Sequence, residues 1–234
     1  MATSQLALDL SLEPDYRAES FAVSEANASA LALVNRWPRW RHGHLLLTGP
    51  AGSGKTHLAH MWRVRTGARF LDAGTLSKAL PGVQRGASVI VEDCDAGLDE
   101  MGLFHLLNRA AGDSGISVLM TARQPGGGWH VGVPDLASRL AAAETAVLNE
   151  PDDALLRQVL EKLFRDRRTP LSPGVIDYIL VRMERSVDFA RALVARLDNA
   201  ALAAKGPVTR TLAREMLAGL SSADTTREDA ETPS

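Results

Sequence analysis

The chain has 234 residues, with 26 Lys and Arg against 28 Asp and Glu and a formal net charge of −2. That balance excludes nucleic-acid binding through bulk positive charge, though not through a local basic patch. A single cysteine, Cys94, rules out an internal disulfide, no stretch approaches the roughly 18 consecutive apolar residues of a spanning helix, and no basic segment precedes a signal-like apolar run, so the sequence reads as cytoplasmic and without a membrane partner.

The first element in chain order is unusual for a terminus. Gln5 to Leu10, "QLALDL", sets Leu6, Leu8 and Leu10 in alternation behind a glutamine, where termini are ordinarily frayed and polar. It is either the first strand of a buried sheet or a peptide destined for another protein's pocket. Polar, loop-like "SLEPDYRAES" follows, and "SEANASALALVNRW" (24–37) reads as a helix with Ser24 as N-cap, ending before Pro38.

A regular alternation then begins. "HLLLT" (44–48), "ARFLDA" (68–73), "ASVIVED" (87–93), "ISVLMTA" (116–122) and "TAVLN" (145–149) are short β-rich apolar runs. Between them lie helical patterns at 54–65, 99–111 and 134–143; in the second, Met101, Phe104, Leu107 and Ala111 fall nearest the helical period. Short continuous apolar runs alternating with helices predict a five-stranded parallel sheet covered on both faces, an α/β layer domain. After Pro151 the strand runs stop and four helical patterns follow, predicting a smaller all-α unit. The expected division is an N-terminal peptide and linker at 1–20, an α/β core at 21–150, a helical lid at 151–220 and a polar, disordered tail at 221–234.

The strongest chemical signal is "GPAGSGKT", which matches G-x-x-x-x-G-K-[ST] in full between a strand and a helix. Gly49, Pro50, Ala51, Gly52, Ser53 and Gly54 form a loop whose backbone N–H groups point at phosphate oxygens, with His57 next on the helix. Lys55 neutralises β/γ-phosphate charge, and Thr56 offers its hydroxyl to Mg²⁺. "VIVED" ends a buried strand in Glu92 and Asp93; one carboxylate can hold Mg²⁺ through water, for which Glu92 is the candidate, and the next can polarise an attacking water. Thr121, at another strand end, either reaches a γ-phosphate or lytic water or is simply a strand-end threonine. His42, His44, His57 and His60 do not form a metal set. The tryptophans read as packing, "RDRR" (165–168) as a solvated helix end, and Cys94 as inert.

The order of P-loop, acidic strand end, strand-end Thr, "PDLASRL" and helical lid resembles the AAA+ proteins related to the bacterial replication initiator DnaA, over roughly residues 5 to 220. With no DNA-reading helix-turn-helix after the lid, the chain resembles the Hda family, short DnaA homologues of regulatory inactivation, more than DnaA itself. The resemblance implies a protein that holds ADP or ATP with Mg²⁺ and binds the DNA polymerase III β sliding clamp through a Q-L-x-L-x-L peptide, matched by Gln5, Leu6, Leu8 and Leu10. It implies contact with DNA only through the clamp. It also implies stimulation of ATP hydrolysis on DnaA by an arginine finger in trans, at the position of Arg139, whose guanidinium fork suits charge developing on a transferring phosphoryl group. Read locally, Arg139 is a surface residue paired with Asp135 four residues earlier. AAA+ sites form between subunits, which implies self-association.

Two positions depart from the family pattern. Glu92 stands where Asp is usual, and the extra methylene is expected to weaken intrinsic hydrolysis. Asp188 falls where the lid should carry a sensor II arginine, leaving Arg185 or Arg191 as substitutes; loss of that contact would favour ADP holding. The competing reading is an AAA+ ATPase of helicase-loader type, acting on its own ATP and on single-stranded DNA. A small-molecule P-loop kinase fits less well, for want of an acceptor-binding arginine cluster.

Overall fold

The computed structural model describes Tyr16 and residues 21–228, with side chains through Gly219. The hexapeptide Gln5–Leu10 lies outside the described residues. The five apolar runs are strands β1 (His44–Thr48), β2 (Arg69–Leu71), β3 (Ser88–Val91), β4 (Ser117–Ala122) and β5 (Thr145–Val147). They form one parallel sheet in the order β2-β3-β4-β1-β5. Because side chains alternate across a strand, the sheet feeds two cores. Leu46, Val89, Val91, Val118 and Met120 enter one core, and Leu45, Leu47, Ile90, Leu119 and Ala146 enter the other. Burial on both faces is why these runs are apolar throughout instead of alternating with polar residues.

Helices α1 (Ala28–Asn35) and α2 (Lys55–Thr66) cover the second face through Ala30, Val34, Leu58 and Trp62. Helices α3 (Leu76–Ala79), α4 (Glu100–Ala111) and α5 (Pro134–Ala141) cover the first through Leu76, Leu103, Leu107, Leu136 and Leu140. Helix α1 starts later than Ser24 predicts, with Asn27 as its N-cap. The Ser24 carbonyl accepts from the Asn27 and Ala28 N–H groups, and its Oγ accepts from Ala26 N, so Ser24 closes a turn ahead of the helix instead of capping it. In α4 the buried stripe is Gly102, Leu103, Leu106, Leu107 and Ala110, while Met101 is 49% exposed. The stripe expected from Met101, Phe104 and Ala111 is therefore rotated about one residue. Asp99 fixes that rotation: its carboxylate accepts from Gly102 N, Ser77 N and the Ser77 hydroxyl, tying the start of α4 to α3.

Helices α6 (Asp153–Arg167), α7 (Val175–Leu180), α8 (Val187–Ala204) and α9 (Arg210–Glu228) build a third core of their own around Leu160, Phe164, Ile179, Leu193 and Leu197. The backbone of α9 runs through 221–228, the first part of the segment expected to be a disordered tail; no Gly or Pro in that stretch interrupts a helix. No helix among the described residues is long and apolar enough to cross a membrane.

Candidate functional site

The P-loop leaves the C-terminal end of β1 and enters α2 through Gly54, whose φ of 99° is tolerable only for glycine at little cost. Lys55 is nearly buried, and its Nζ donates to the carbonyls of Gly49 (2.8 Å) and Pro50 (2.9 Å). Burial is the main influence lowering its pKa; the Asp93 carboxylate opposes that and the Arg123 charge adds to it. The Ser53 and Thr48 hydroxyls are buried with no hydrogen-bond partner among the described residues. Two orphaned hydroxyls beside a glycine loop with a lysine at its centre suit a polyoxygenated anion such as a phosphate chain.

Glu92 and Asp93 follow β3 directly, and Asp93 takes a left-handed φ of 50° that turns the chain at the strand's end. Burial raises the Glu92 pKa above the ordinary carboxylate value; a hydrogen bond with the Thr56 hydroxyl pulls the other way. The pair Thr56 and Glu92 thus stands together where a divalent cation with bound water would sit. No larger group of metal-ligating side chains occurs among the described residues. Asp93 lines the cleft with Lys55, Thr56, Arg123, Asp188 and Arg191.

Thr121 is 1% exposed, and its Oγ1 accepts from Asp93 N at 3.0 Å, while its carbonyl accepts from Cys94 N. It holds the acidic turn in shape and does not line the cleft. Cys94 is buried beneath that turn, where desolvation drives its pKa well above the usual thiol range, so it has no reactive thiolate.

The lid supplies the other wall. Val187 N donates to the Gly52 carbonyl at 3.1 Å, docking the start of α8 on the P-loop. Arg185 precedes the helix, ahead of the N-cap Ser186, and pairs with Asp153 (2.8 Å) and Glu150 (3.9 Å) away from the cleft. Arg191 lies on α8 one turn past the cap, lines the cleft, and reaches Asp188 and the His57 ring, each at 3.3 Å. The structure separates the two candidate lid arginines: Arg191 faces the phosphate cradle and Arg185 does not.

Sequence reasoning missed the apolar pocket that adjoins this cleft. It is formed by Phe21, Ala22, Ser53, Leu155, Val159 and Leu163, with His57 and Arg191 shared between pocket and cleft. Asn27 shapes its rim by donating from Nδ2 to the Ala22 carbonyl and accepting Ser24 N at Oδ1. An apolar slot beside a phosphate cradle is what a flat aromatic base needs. The pieces come from residues more than a hundred positions apart, and only the Asn27 loop leaves a local trace.

Arg139 sits elsewhere. Its guanidinium lies 5.9 Å from the Phe104 ring centroid, and it makes no ion pair with Asp135 among the described residues. Burial is the main influence lowering the pKa of His44, at the start of β1, and the Arg139 charge contributes to the same shift. Arg139 is in the last turn of α5, six residues before Thr145, which pairs with Leu46, so it lies toward the N-terminal half of β1, whereas the P-loop leaves the C-terminal end of that strand.

No family model matches the chain. Solved structures do. Domain III of the replication initiation protein DnaA from Thermotoga maritima superposes with a TM-score of 0.73 at 18% identity, over 88% of this chain and 97% of that one. The replication initiator DnaA bound to AMPPCP and single-stranded DNA gives 0.67 at 15% identity, over 83% and 69%. The RuvB Holliday junction branch migration motor of Thermotoga maritima gives 0.63 at 19% identity, over 76% and 62%. The five-stranded parallel sheet with its flanking helices is thus the AAA+ P-loop ATPase fold of DnaA domain III and RuvB.

Proposed function

We propose that this chain is a nucleotide-holding AAA+ adaptor in the control of replication initiation, similar to the Hda family. In this reading it binds ADP or ATP with Mg²⁺, docks on the sliding clamp through Gln5, Leu6, Leu8 and Leu10, and stimulates ATP hydrolysis on DnaA. A bound nucleotide would be held by the P-loop backbone, Lys55 and Arg191 at its phosphates and by the pocket of Phe21, Leu155 and Val159 at its base; Thr56 and Glu92 would hold Mg²⁺. The cation supplies charge neutralisation on the phosphates.

The observation that carries the adaptor reading is the position of Arg139. It lies toward the opposite end of β1 from this chain's own P-loop, 5.9 Å from the Phe104 ring centroid and in no ion pair with a carboxylate among the described residues. A guanidinium outside the lining of its own cleft suits a phosphoryl group on a neighbouring molecule. The second reading, an ATPase of helicase-loader type with its own turnover, is favoured by Lys55, Thr56 and Asp93 lining one cleft, with Glu92 hydrogen-bonded to Thr56.

The discriminating experiment is ATP hydrolysis by ATP-bound DnaA with clamp loaded on DNA. Wild type should stimulate hydrolysis. A variant with Gln5, Leu6 and Leu8 changed to Ala and the variant R139A should both fail while still binding ADP. A wild-type chain that adds nothing to DnaA but hydrolyses ATP alone would replace the adaptor with the loader-type ATPase.

A further inference from the structure

Tyr16 lies ahead of the α/β core, yet its ring is fixed against α2. It stacks flat on His60, with ring centroids 3.9 Å apart and planes at 6°, and stands edge-on to His57 at 5.6 Å and 89°. His57 in turn meets the edge of Phe21 at 5.1 Å and the Arg191 guanidinium at 3.3 Å. Tyr16 lines the phosphate cleft together with Gly52, Lys55, Thr56 and Arg191, whereas Phe21 lines the apolar pocket. His57 thus stands between the two rings, at the junction where the base pocket opens into the phosphate cradle. On a bound nucleoside diphosphate that junction is the ribose and the first phosphate.

We propose that Tyr16 is a nucleotide-binding residue on the ribose and phosphate side of the cleft. The proposal rests on the reading of this cleft as an adenine-nucleotide site. Aromatic rings seated on a partner surface bind through area at low entropy cost, and the phenol adds one donor suited to a ribose hydroxyl or a phosphate oxygen.

The sequence supplies a reporter. Arg17 is the only Lys or Arg among residues 1–35, so tryptic cleavage there reads the accessibility of the chain directly after Tyr16. The experiment compares wild type, Y16A and Y16F as full chains. It measures the Kd of a fluorescent ADP analogue with Mg²⁺, and the rate of cleavage at Arg17 with and without ADP. Saturating ADP should slow cleavage at least fivefold in wild type and in Y16F, which keeps the ring. Y16A should bind the analogue about fivefold to tenfold more weakly, the scale of one aromatic contact, and lose the protection even at saturation. Rescue by Y16F separates contact through the ring from general damage, and unchanged urea unfolding of Y16A would confirm an intact fold. Equal ADP binding and equal protection in wild type and Y16A would overturn the proposal alone. A wild-type chain that bound no adenine nucleotide would overturn the nucleotide-site reading together with it. Neither readout involves the clamp, so both decide the role of Tyr16 whether or not the chain binds one.

Discussion

Gly52 is one of the points where core and lid touch, and replacing it with alanine tests whether that contact sets the cleft. Its φ is +67°, so a Cβ is strained by the backbone alone. The Cβ would also lie 2.0 Å from Ser186 Oγ and 2.9 Å from Ser186 Cβ, distances no side-chain contact sustains. Ser186 caps α8 by accepting Phe189 N, so pushing it away also frees that cap. A non-glycine residue in the left-handed region costs about 1–2 kcal/mol and a lost N-cap about 1 kcal/mol, giving roughly 2–3 kcal/mol for G52A. At about 2–4 °C per kcal/mol for a chain of this size, thermal unfolding should come roughly 5–10 °C earlier. The assay is urea and thermal unfolding of G52A, S186A and the double variant, with ADP affinity measured on each. S186A should lose only the cap, about 1 kcal/mol. The double variant should cost less than the two singles summed, because removing Oγ relieves the tightest contact. ADP affinity should fall in G52A, since displacing the start of α8 carries Arg191 with it. A G52A protein within about 0.5 kcal/mol of wild type, or singles that simply add, would refute the reasoning.

Two further outcomes follow from the site. R191A should weaken ADP binding at least fivefold, while R185A, whose partners are Glu150 and Asp153, should stay within twofold; isothermal titration of both variants checks the assignment, and the reverse ranking would hand the role to Arg185. E92Q should unfold at higher urea than wild type at pH 7 while losing the Mg²⁺ dependence of nucleotide binding. The sign comes from the raised Glu92 pKa. Ionising this carboxylate costs more in the folded state than in the unfolded, so wild type loses stability as pH rises from the ordinary carboxylate value of 4.5 through the raised one, and the amide does not. The advantage of E92Q should therefore shrink toward pH 4, and an advantage that does not change with pH would show that burial of the charge is not its cause.

Much of the chain is legible from its residues alone, for local reasons. Five apolar runs become the five strands because a sheet covered on both faces leaves no position for polar residues, and that signal lies within a few consecutive residues. The P-loop is legible because its chemistry is carried by glycine, lysine and threonine at fixed spacing between a strand and a helix. Glu92 and Asp93 follow from standing where such a strand ends. The misreadings are equally specific. In α4, Met101 and Phe104 fit the helical period as well as Leu103 and Leu106 do; the rotation is set by Asp99 holding Ser77 and Gly102, one partner of which is 22 residues distant. For Thr121 the residues alone left a phosphate contact and a plain strand-end role open, and the packing of β4 against β3 brings its hydroxyl to Asp93 N.

The sheet, the glycine loop and the C-terminal helices can be read from the residues alone, because each is encoded by periodicity or by backbone chemistry over a short window. Packing alone sets Arg191 at the cradle, joins Phe21, Leu155 and Val159 into the adjoining pocket, and leaves Arg139 outside the cleft lining. Those three facts depend on how the lid packs on the core and how the two ends of β1 are occupied. Such juxtapositions join residues far apart in the chain, and no local pattern records them.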